Sequence, residues 1–127
     1  MSIIVTDTGF GPETWTLGFE GATTLDLPSD TDPETLGASD GIEMIRIDFP
    51  SFADGRGFTL ARLLRLRGYT GRLRARGHVI SDQYAMARRS GFDEVEISEE
   101  LAARQPEAEW QFRANWQQND YQSRLRG

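Results

Sequence analysis

The sequence predicts an α/β protein with a singly wound, mainly parallel sheet of about four β-α units, resembling half of a β/α barrel. Strand-like and helix-like segments alternate as β-α-β-α-β-α-β-α with short connections, which favours parallel strands joined by right-handed crossovers. Each predicted strand also has one apolar and one charged face, whereas strands buried on both faces are near-continuous apolar runs. If all helices cover one face of the sheet, the charged face is left open.

A doubly wound three-layer sandwich is the alternative. The strand predicted over residues 71–79 bears on the choice, because its side chains alternate strictly between the two faces. Its apolar residues point one way and its basic residues the other: Leu73, Ala75 and Val79 against Arg72, Arg74, Arg76 and His78. A helix over the second face would bury the arginines, which is costly unless each guanidinium is paired.

The elements follow from local signals. Leucines at helical spacing (Leu60, Leu63, Leu64) predict a helix that Gly68 ends, and Asp32 with Pro33 predicts a short helix start. The predicted order is a strand or irregular arm (1–20), a strand (23–30), a short helix (29–41), a strand (42–49), a helix (58–68), a strand (71–79), a helix (80–91), a strand (93–98) and a helix (99–104). Pro106 begins a C-terminal segment, 106–127, with the aromatic residues Trp110, Phe112, Trp116 and Tyr121.

Length and composition bound the function. A chain of 127 residues predicts a single domain, 1–127, with its β/α core at 22–98. It has no cysteine and one histidine, His78, which excludes thiolate chemistry and a histidine-rich metal site within this chain. It has no lysine for a Schiff base and no apolar run of the roughly 20 residues that span a membrane. We therefore expect a soluble, cytoplasmic protein that holds no metal or cofactor.

The charges are segregated along the chain. Residues 1–45 carry nine acids and no base, residues 46–92 carry ten arginines against three acids, and residues 93–127 carry eight acids and four arginines. The net charge is −6, and such a chain lacks the excess of positive charge with which nucleic-acid binders neutralise phosphates. We expect no nucleic-acid partner.

A Gly-rich bend joins the strand 42–49 to the following helix. It holds an acid and a base between small residues, Asp54, Gly55, Arg56 and Gly57. In open α/β sheets ligands bind outside the carboxyl ends of the strands, so Arg56 is expected to approach Arg76 and His78 beside two helix N-termini. Arginine and helix N-termini both suit a small anion such as sulfate, phosphate or a carboxylate.

Plainer interpretations stand beside this one. The bend has the composition of any tight turn, and Arg74 and Arg76 could pair across strands with Glu94 and Glu96 in a layer that maintains register and solubility. As an enzyme, the protein would use Asp54, His78 or Asp82 for acid–base work and Arg56 and Arg76 to stabilise an anion. The full set of candidate ligand-binding residues is Asp54, Gly55, Arg56, Gly57, Arg74, Arg76, His78, Asp82 and Gln83.

A longer pattern is more specific. It comprises F-P-x-F-x-D-G-R (from Phe49 to Arg56), R-A-x-G (from Arg74 to Gly77), the pair Asp82-Gln83 and the run from Gly91 to Asp93. On these residues the chain resembles the bacterial domain of unknown function 934 family over roughly residues 22–98, with a further echo at Tyr121-Gln122. Where members usually carry an acid after the R-A-x-G glycine, this chain has His78.

The resemblance implies a setting. Genes of the family commonly lie beside those for sulfite reductase and phosphoadenylyl-sulfate reductase, and members are sometimes labelled as oxidoreductases involved in sulfite reduction. We therefore expect an accessory or adaptor protein of assimilatory sulfate reduction, with those reductases as candidate partners and a small-anion site at the strand ends. An enzyme and a purely structural interaction domain are the alternatives. The polar sheet face is expected to be open, covered by the arm of residues 1–20, or buried in a homodimer.

Overall fold

A computed structural model describes residues 2–15, 18, 23–35 and 41–112 of the chain. Its strands are β1 (Ser2–Thr6), β2 (Gly9–Gly11), β3 (Thr24–Leu27), β4 (Met44–Phe49), β5 (Arg72–Gly77) and β6 (Glu94–Ser98). Its α-helices are α1 (Arg56–Leu66), α2 (Tyr84–Ser90), α3 (Glu99–Arg104) and α4 (Glu107–Phe112), and 3₁₀ turns lie at Pro33–Thr35 and Ser81–Gln83.

The six strands form one mixed sheet in the order β2-β1-β6-β5-β4-β3. Strands β3, β4, β5 and β6 are parallel neighbours in sequence order, as the alternating β-α pattern predicts. Strand β1 pairs antiparallel with β6, and β2 pairs antiparallel with β1. The fold is therefore α/β with a mostly parallel sheet, and the region expected as a strand or irregular arm supplies two antiparallel strands.

One face of the sheet carries the hydrophobic core. The predicted inward residues Leu73 and Ala75 of β5 are fully buried, together with Ile45 and Ile47 of β4. Apolar residues of α1 and of α2 belong to the same core cluster and so lie on this face: Phe58, Leu60, Ala61 and Leu64 from α1, Tyr84 and Ala87 from α2. Burying large apolar side chains contributes roughly 1.5–3 kcal/mol each relative to exposure, so this face supplies most of the driving force for folding.

The opposite side of the sheet is a layer of ion pairs, which we call the polar face. It consists of Asp26, Arg46, Asp48, Arg72, Arg74, Arg76, Glu94 and Glu96. The cross-strand pairs foreseen from the sequence are present, because Arg74 contacts Glu94 and Glu96 at 2.5 and 2.8 Å and Arg76 contacts Glu96 at 3.5 Å. Arg74 is fully buried, however, rather than partly exposed.

Residues 12–15, which we call the strap, cover part of this face. They follow β2 at one edge of the sheet, and the chain must reach β3 at the other edge. Glu13 binds Arg74 with both carboxylate oxygens, Thr14 accepts a hydrogen bond from Arg72, and the Trp15 ring lies 5.7 Å from the Arg72 guanidinium carbon. The N-terminal region therefore covers the amino half of the polar face.

Two further elements complete the described chain. Within the described part of the helix expected over residues 29–41, the structure has a 3₁₀ turn, Pro33–Thr35, and Asp32 just before it accepts a hydrogen bond from the Glu34 amide. In the C-terminal segment, Trp110 of α4 is buried against Tyr84, whereas Phe112 is exposed. Trp116 and Tyr121 lie outside the described residues. No helix of the described ranges has the length and apolarity needed to cross a bilayer.

Candidate functional site

The Gly-rich bend between β4 and α1 is closed by its own acid and base. Arg56 donates from Nε to Asp54 Oδ1 at 3.0 Å and from a terminal nitrogen to Oδ2 at 2.8 Å. Asp54 also accepts from the Arg56 amide and from the Ser29 hydroxyl, which follows β3. These hydrogen bonds, with Arg56 first and Ser29 next, hold the pKa of Asp54 far below its ordinary range, and Asp54 raises that of Arg56. Asp54 is therefore an ionised structural anchor at neutral pH.

The two glycines of the bend differ in role. A Cβ on Gly57 would stand 2.4 Å from Cζ of Phe49, a buried ring of β4. A Cβ on Gly55 would meet its nearest atom, on Phe58, at 4.0 Å. Gly57 is thus required by the close packing of α1 on the sheet, whereas Gly55 has room for a larger residue.

The loops after β4 and β5 are tied to each other. The Gln83 side chain donates to the Phe52 carbonyl at 2.9 Å and accepts from the Ile80 amide at 3.1 Å. The rings of Phe52 and His78 meet edge to face with centroids 5.2 Å apart. His78 also donates its amide proton to the Phe49 carbonyl at 2.9 Å. The residues of the long motif therefore build the carboxyl edge of the parallel strands.

At this edge the polar face opens into a cleft of about 250 Å³, which we call the polar cleft. It lies at the carboxyl ends of β4, β5 and β6, beside the start of β1. Its lining residues are Ser2, Asp48, Pro50, Arg76, Gly77, His78, Glu96, Ile97 and Ser98.

Arg76 is the arginine with the loosest contacts in this layer. Its guanidinium lies 3.5 Å from both Asp48 and Glu96, beyond the usual hydrogen-bond distance, and its side chain is 46% exposed. Glu96 is meanwhile bound by Arg46 at 3.2 Å and Arg74 at 2.8 Å, which offset its charge. Arg76 therefore has a guanidinium that an added anion could reach.

The candidate residues are distributed over several surfaces. Arg56, 61% exposed, lines a cleft of about 310 Å³ with Ser29, Asp30 and Thr59, and not the polar cleft of Arg76. Asp82 lines a third, open cleft of about 500 Å³ beside α4. We expected Arg56 to approach Arg76 and His78, but the structure places Arg56 in a different cleft from these two residues. Arg76 and His78 share the polar cleft, Arg74 lies under the strap, and Gln83 bridges two loops.

Several residues of this region were not foreseen from the sequence. Ser29, Asp48, Ser2 and Ser98 are ordinary polar residues in their local context, and Glu13 lies in a segment without periodicity. Asp48 could have been found from the sequence, because it lies on the charged face of β4, in register with Arg76 of β5. The others reach the site through long-range contacts that no local pattern records.

A metal site does not emerge from the described residues. Within residues 2–15, 18, 23–35 and 41–112, no three His, Cys, Asp or Glu side chains are grouped so that they could hold an ion. Every buried side-chain nitrogen or oxygen of those ranges has a hydrogen-bond partner. What the arrangement offers chemically is charge-assisted hydrogen bonding by arginine.

The fold and this edge define a mixed α/β protein whose parallel strands end in a Gly-rich loop and a small polar cleft. The sequence profile described as "Bacterial protein of unknown function (DUF934)" matches residues 24–126, so the chain belongs to that family. Neither the curated proteins nor the solved structures include a match to it.

Proposed function

We propose that this protein is an accessory or adaptor protein of assimilatory sulfate or sulfite reduction, which binds a small oxyanion in the polar cleft. The observation that carries the binding proposal is the position of Arg76 beside His78, at the carboxyl ends of the strands. Arginine presents a rigid fork that fits tetrahedral and planar oxyanions. The sulfur setting comes from the family resemblance.

The sheet supports a site at this place. Strands β3 to β6 are parallel neighbours in sequence order, and α1 and α2 pack on one face. We take this as support for a singly wound arrangement like half of a β/α barrel, with its charged face turned to the ligand. Open sheets of this kind bind ligands outside the carboxyl ends of their strands. A cleft of about 250 Å³ suits a small oxyanion better than a nucleotide, since pockets for larger ligands start near 300 Å³.

Binding is favoured over catalysis by the same geometry. The three acid–base candidates lie apart: Asp54 is held by Arg56 and Ser29, His78 lines the polar cleft, and Asp82 lines another cleft. Two groups that act as acid and base on one substrate must each lie within hydrogen-bond reach of it. Asp54 in particular keeps its charge at neutral pH, because Arg56 and Ser29 lower its pKa.

Sulfate and sulfite titrations test the binding proposal. Calorimetry at constant ionic strength should show binding to the wild-type protein, and Arg76→Ala should abolish it. Arg62→Ala is the matched control, because Arg62 is an exposed arginine on α1 outside the cleft. If Arg76→Ala binds either anion as well as Arg62→Ala does, the polar cleft is not the site.

The adaptor role needs a separate experiment. Purified protein should retain sulfite reductase or phosphoadenylyl-sulfate reductase in a pull-down from defined mixtures. Turnover of sulfite or sulfate by the protein alone would favour the enzyme interpretation instead. Failure to retain either reductase, with anion binding intact, would leave a solitary binding protein.

A further inference from the structure

We infer that Glu13 is an internal ligand of the polar face: its carboxylate occupies Arg74 and holds the strap in place, so that displacing it opens this arginine layer to an oxyanion from solution. The inference concerns the regulation of the proposed oxyanion site. It rests on the proposed function, because it requires that the polar face bind oxyanions.

The contact between Glu13 and Arg74 has the geometry of a bound carboxylate. One terminal nitrogen of Arg74 donates to Oε1 at 2.7 Å and the other to Oε2 at 2.5 Å. Such bidentate pairs are the strong form of a charge-assisted hydrogen bond. Because Arg74 is fully buried and Glu13 is 41% exposed, the carboxylate enters this pair from the solvent side. An external anion would approach along the same direction.

Polar contacts hold the strap. None of residues 12–15 is buried, and Glu13, Thr14 and Trp15 contact the sheet through Arg72 and Arg74. The Glu13 carboxylate is 41% exposed, so a competing anion can reach its contact with Arg74 from solution, whereas no added ion competes with apolar burial. A strap held in this way can be displaced by an anion without disturbing the hydrophobic core.

Glu96 links the strap to the polar cleft. One carboxylate oxygen accepts from Arg74 at 2.8 Å, and the other lies 3.5 Å from Arg76. When Glu13 is in place, Arg74 is shared among three carboxylates, those of Glu13, Glu94 and Glu96. Removing the Glu13 charge leaves the arginine layer with more positive charge for an oxyanion. Strap and oxyanion therefore compete, and each lowers the apparent affinity of the other.

The experiment measures sulfate affinity in matched variants. Glu13→Gln removes the charge and keeps the shape, and Glu34→Gln removes one charge from an exposed acid in the 3₁₀ turn away from the strap. We expect Glu13→Gln to bind sulfate about tenfold more tightly than Glu34→Gln does, the effect of losing one charge-assisted competitor. Adding Arg72→Gln to Glu13→Gln should reverse the gain.

Strap movement is measured in the wild-type background. The chain has no cysteine, so Pro12→Cys carries a nitroxide label at a single exposed position. Sulfate should increase the mobility of this label, and chloride at the same ionic strength should not. The inference is overturned if Glu13→Gln and Glu34→Gln bind sulfate equally, or if sulfate binds the wild-type protein and leaves the label unchanged.

The two proposals fail in different ways. If the wild-type protein binds sulfate through Arg76 but Glu13→Gln changes nothing, the internal-ligand inference alone is wrong. If the wild-type protein does not bind sulfate while Glu13→Gln binds it in an Arg72-dependent manner, the inference holds and the polar cleft is not the resting site.

Discussion

Asp54 and Arg56, separated by one residue, form a bidentate ion pair: the guanidinium donates two hydrogen bonds, of 3.0 and 2.8 Å, to the carboxylate. Asp54 also receives the Ser29 hydroxyl at 2.7 Å and the Arg56 amide at 3.1 Å. The Asp54 carboxylate thus links the loop after β3 to the start of α1, whereas the Arg56 guanidinium binds chiefly to Asp54 itself.

The asymmetry of this pair gives the first prediction. Asp54→Ala removes every one of these contacts, whereas Arg56→Ala leaves the Ser29 hydroxyl and the helix amide bound to Asp54. Thermal unfolding should therefore show a larger drop in melting temperature for Asp54→Ala than for Arg56→Ala. Equal drops, or a larger one for Arg56→Ala, would mean that the carboxylate is not the anchor.

The second prediction compares the two glycines of the bend. Gly57→Ala forces a methyl group onto the Phe49 ring, since its Cβ would lie 2.4 Å from Cζ. Overpacking of this kind costs about 1–3 kcal/mol of unfolding free energy. Gly55→Ala, with 4.0 Å to its nearest neighbour, is the control and should change stability little. Denaturant titration of both variants measures the difference, and a neutral Gly57→Ala would contradict the packing.

The third prediction concerns the buried arginine. Arg74→Met leaves Glu94 and Glu96, which are 5% and 6% exposed, without their shared partner. Breaking a buried ion pair by removing one side costs about 3–5 kcal/mol, because the remaining charge stays desolvated. Glu94 keeps its contact with Arg72 and Glu96 keeps its contact with Arg46, so we expect a loss at the lower end of this range, about 3 kcal/mol. The free energy of unfolding from denaturant titration should fall by that amount, and Arg62→Ala should stay within about 0.5 kcal/mol of wild type.

A second substitution tests the cause of that loss. If the loss arises from stranded carboxylates, then Glu94→Gln in the Arg74→Met background should recover part of it. If the double variant is less stable than Arg74→Met alone, the cost lies in the missing volume of the arginine and not in its charge.

The fourth prediction is a pH dependence. Hydrogen bonds from Arg74 hold the pKa of Glu13 below its ordinary value of 4.5. A carboxyl group whose pKa is lower in the folded protein adds stability above its unfolded pKa and loses it as the pH falls through the folded pKa. Wild type should therefore be more stable than Glu13→Gln at neutral pH, by a small amount because Glu13 is well exposed.

Denaturant titrations of wild type and Glu13→Gln over a pH series check this. The difference between the two proteins should hold down to about pH 4.5 and shrink below it, once Glu13 is protonated. Asp54 titrates in the same direction, but it is present in both proteins and cancels. A difference that is constant with pH would show that the strap is not held by the Glu13 charge.

The parallel part of the fold was predictable because its signals are local. Alternation along Arg72–Gly77 gives both the strand and its two faces, and the leucine spacing gives α1. The antiparallel pairs were not predictable, since Ser2–Thr6 and Gly9–Gly11 have no period that distinguishes a strand from an irregular arm. Their place in the sheet depends on pairing with β6, far along the chain.

The sequence predicted that the motif residues lie at the carboxyl edge of the parallel strands, but it did not predict which side chains contact one another there. The motif residues do lie at the carboxyl ends of the parallel strands. Arg56, however, is bound by Asp54 two residues away, and it lines a different cleft from Arg76. Ser29 contacts Asp54 and Glu13 contacts Arg74 across 25 and 61 residues of sequence, and no local sequence pattern predicts contacts over such separations.

The pairing of β1 with β6 also sets an order of folding. Ser2 meets Glu96 across 94 residues of sequence, whereas β4, α1 and β5 are joined by short connections. Closing so long a loop costs more conformational entropy than closing a short one, so the pairing of β1 with β6 is expected to be slow. We expect the β4-α1-β5 unit to assemble early and β1 to dock last. Until it docks, β6 presents an unpaired edge, which is the part of the nascent sheet most open to association with another chain.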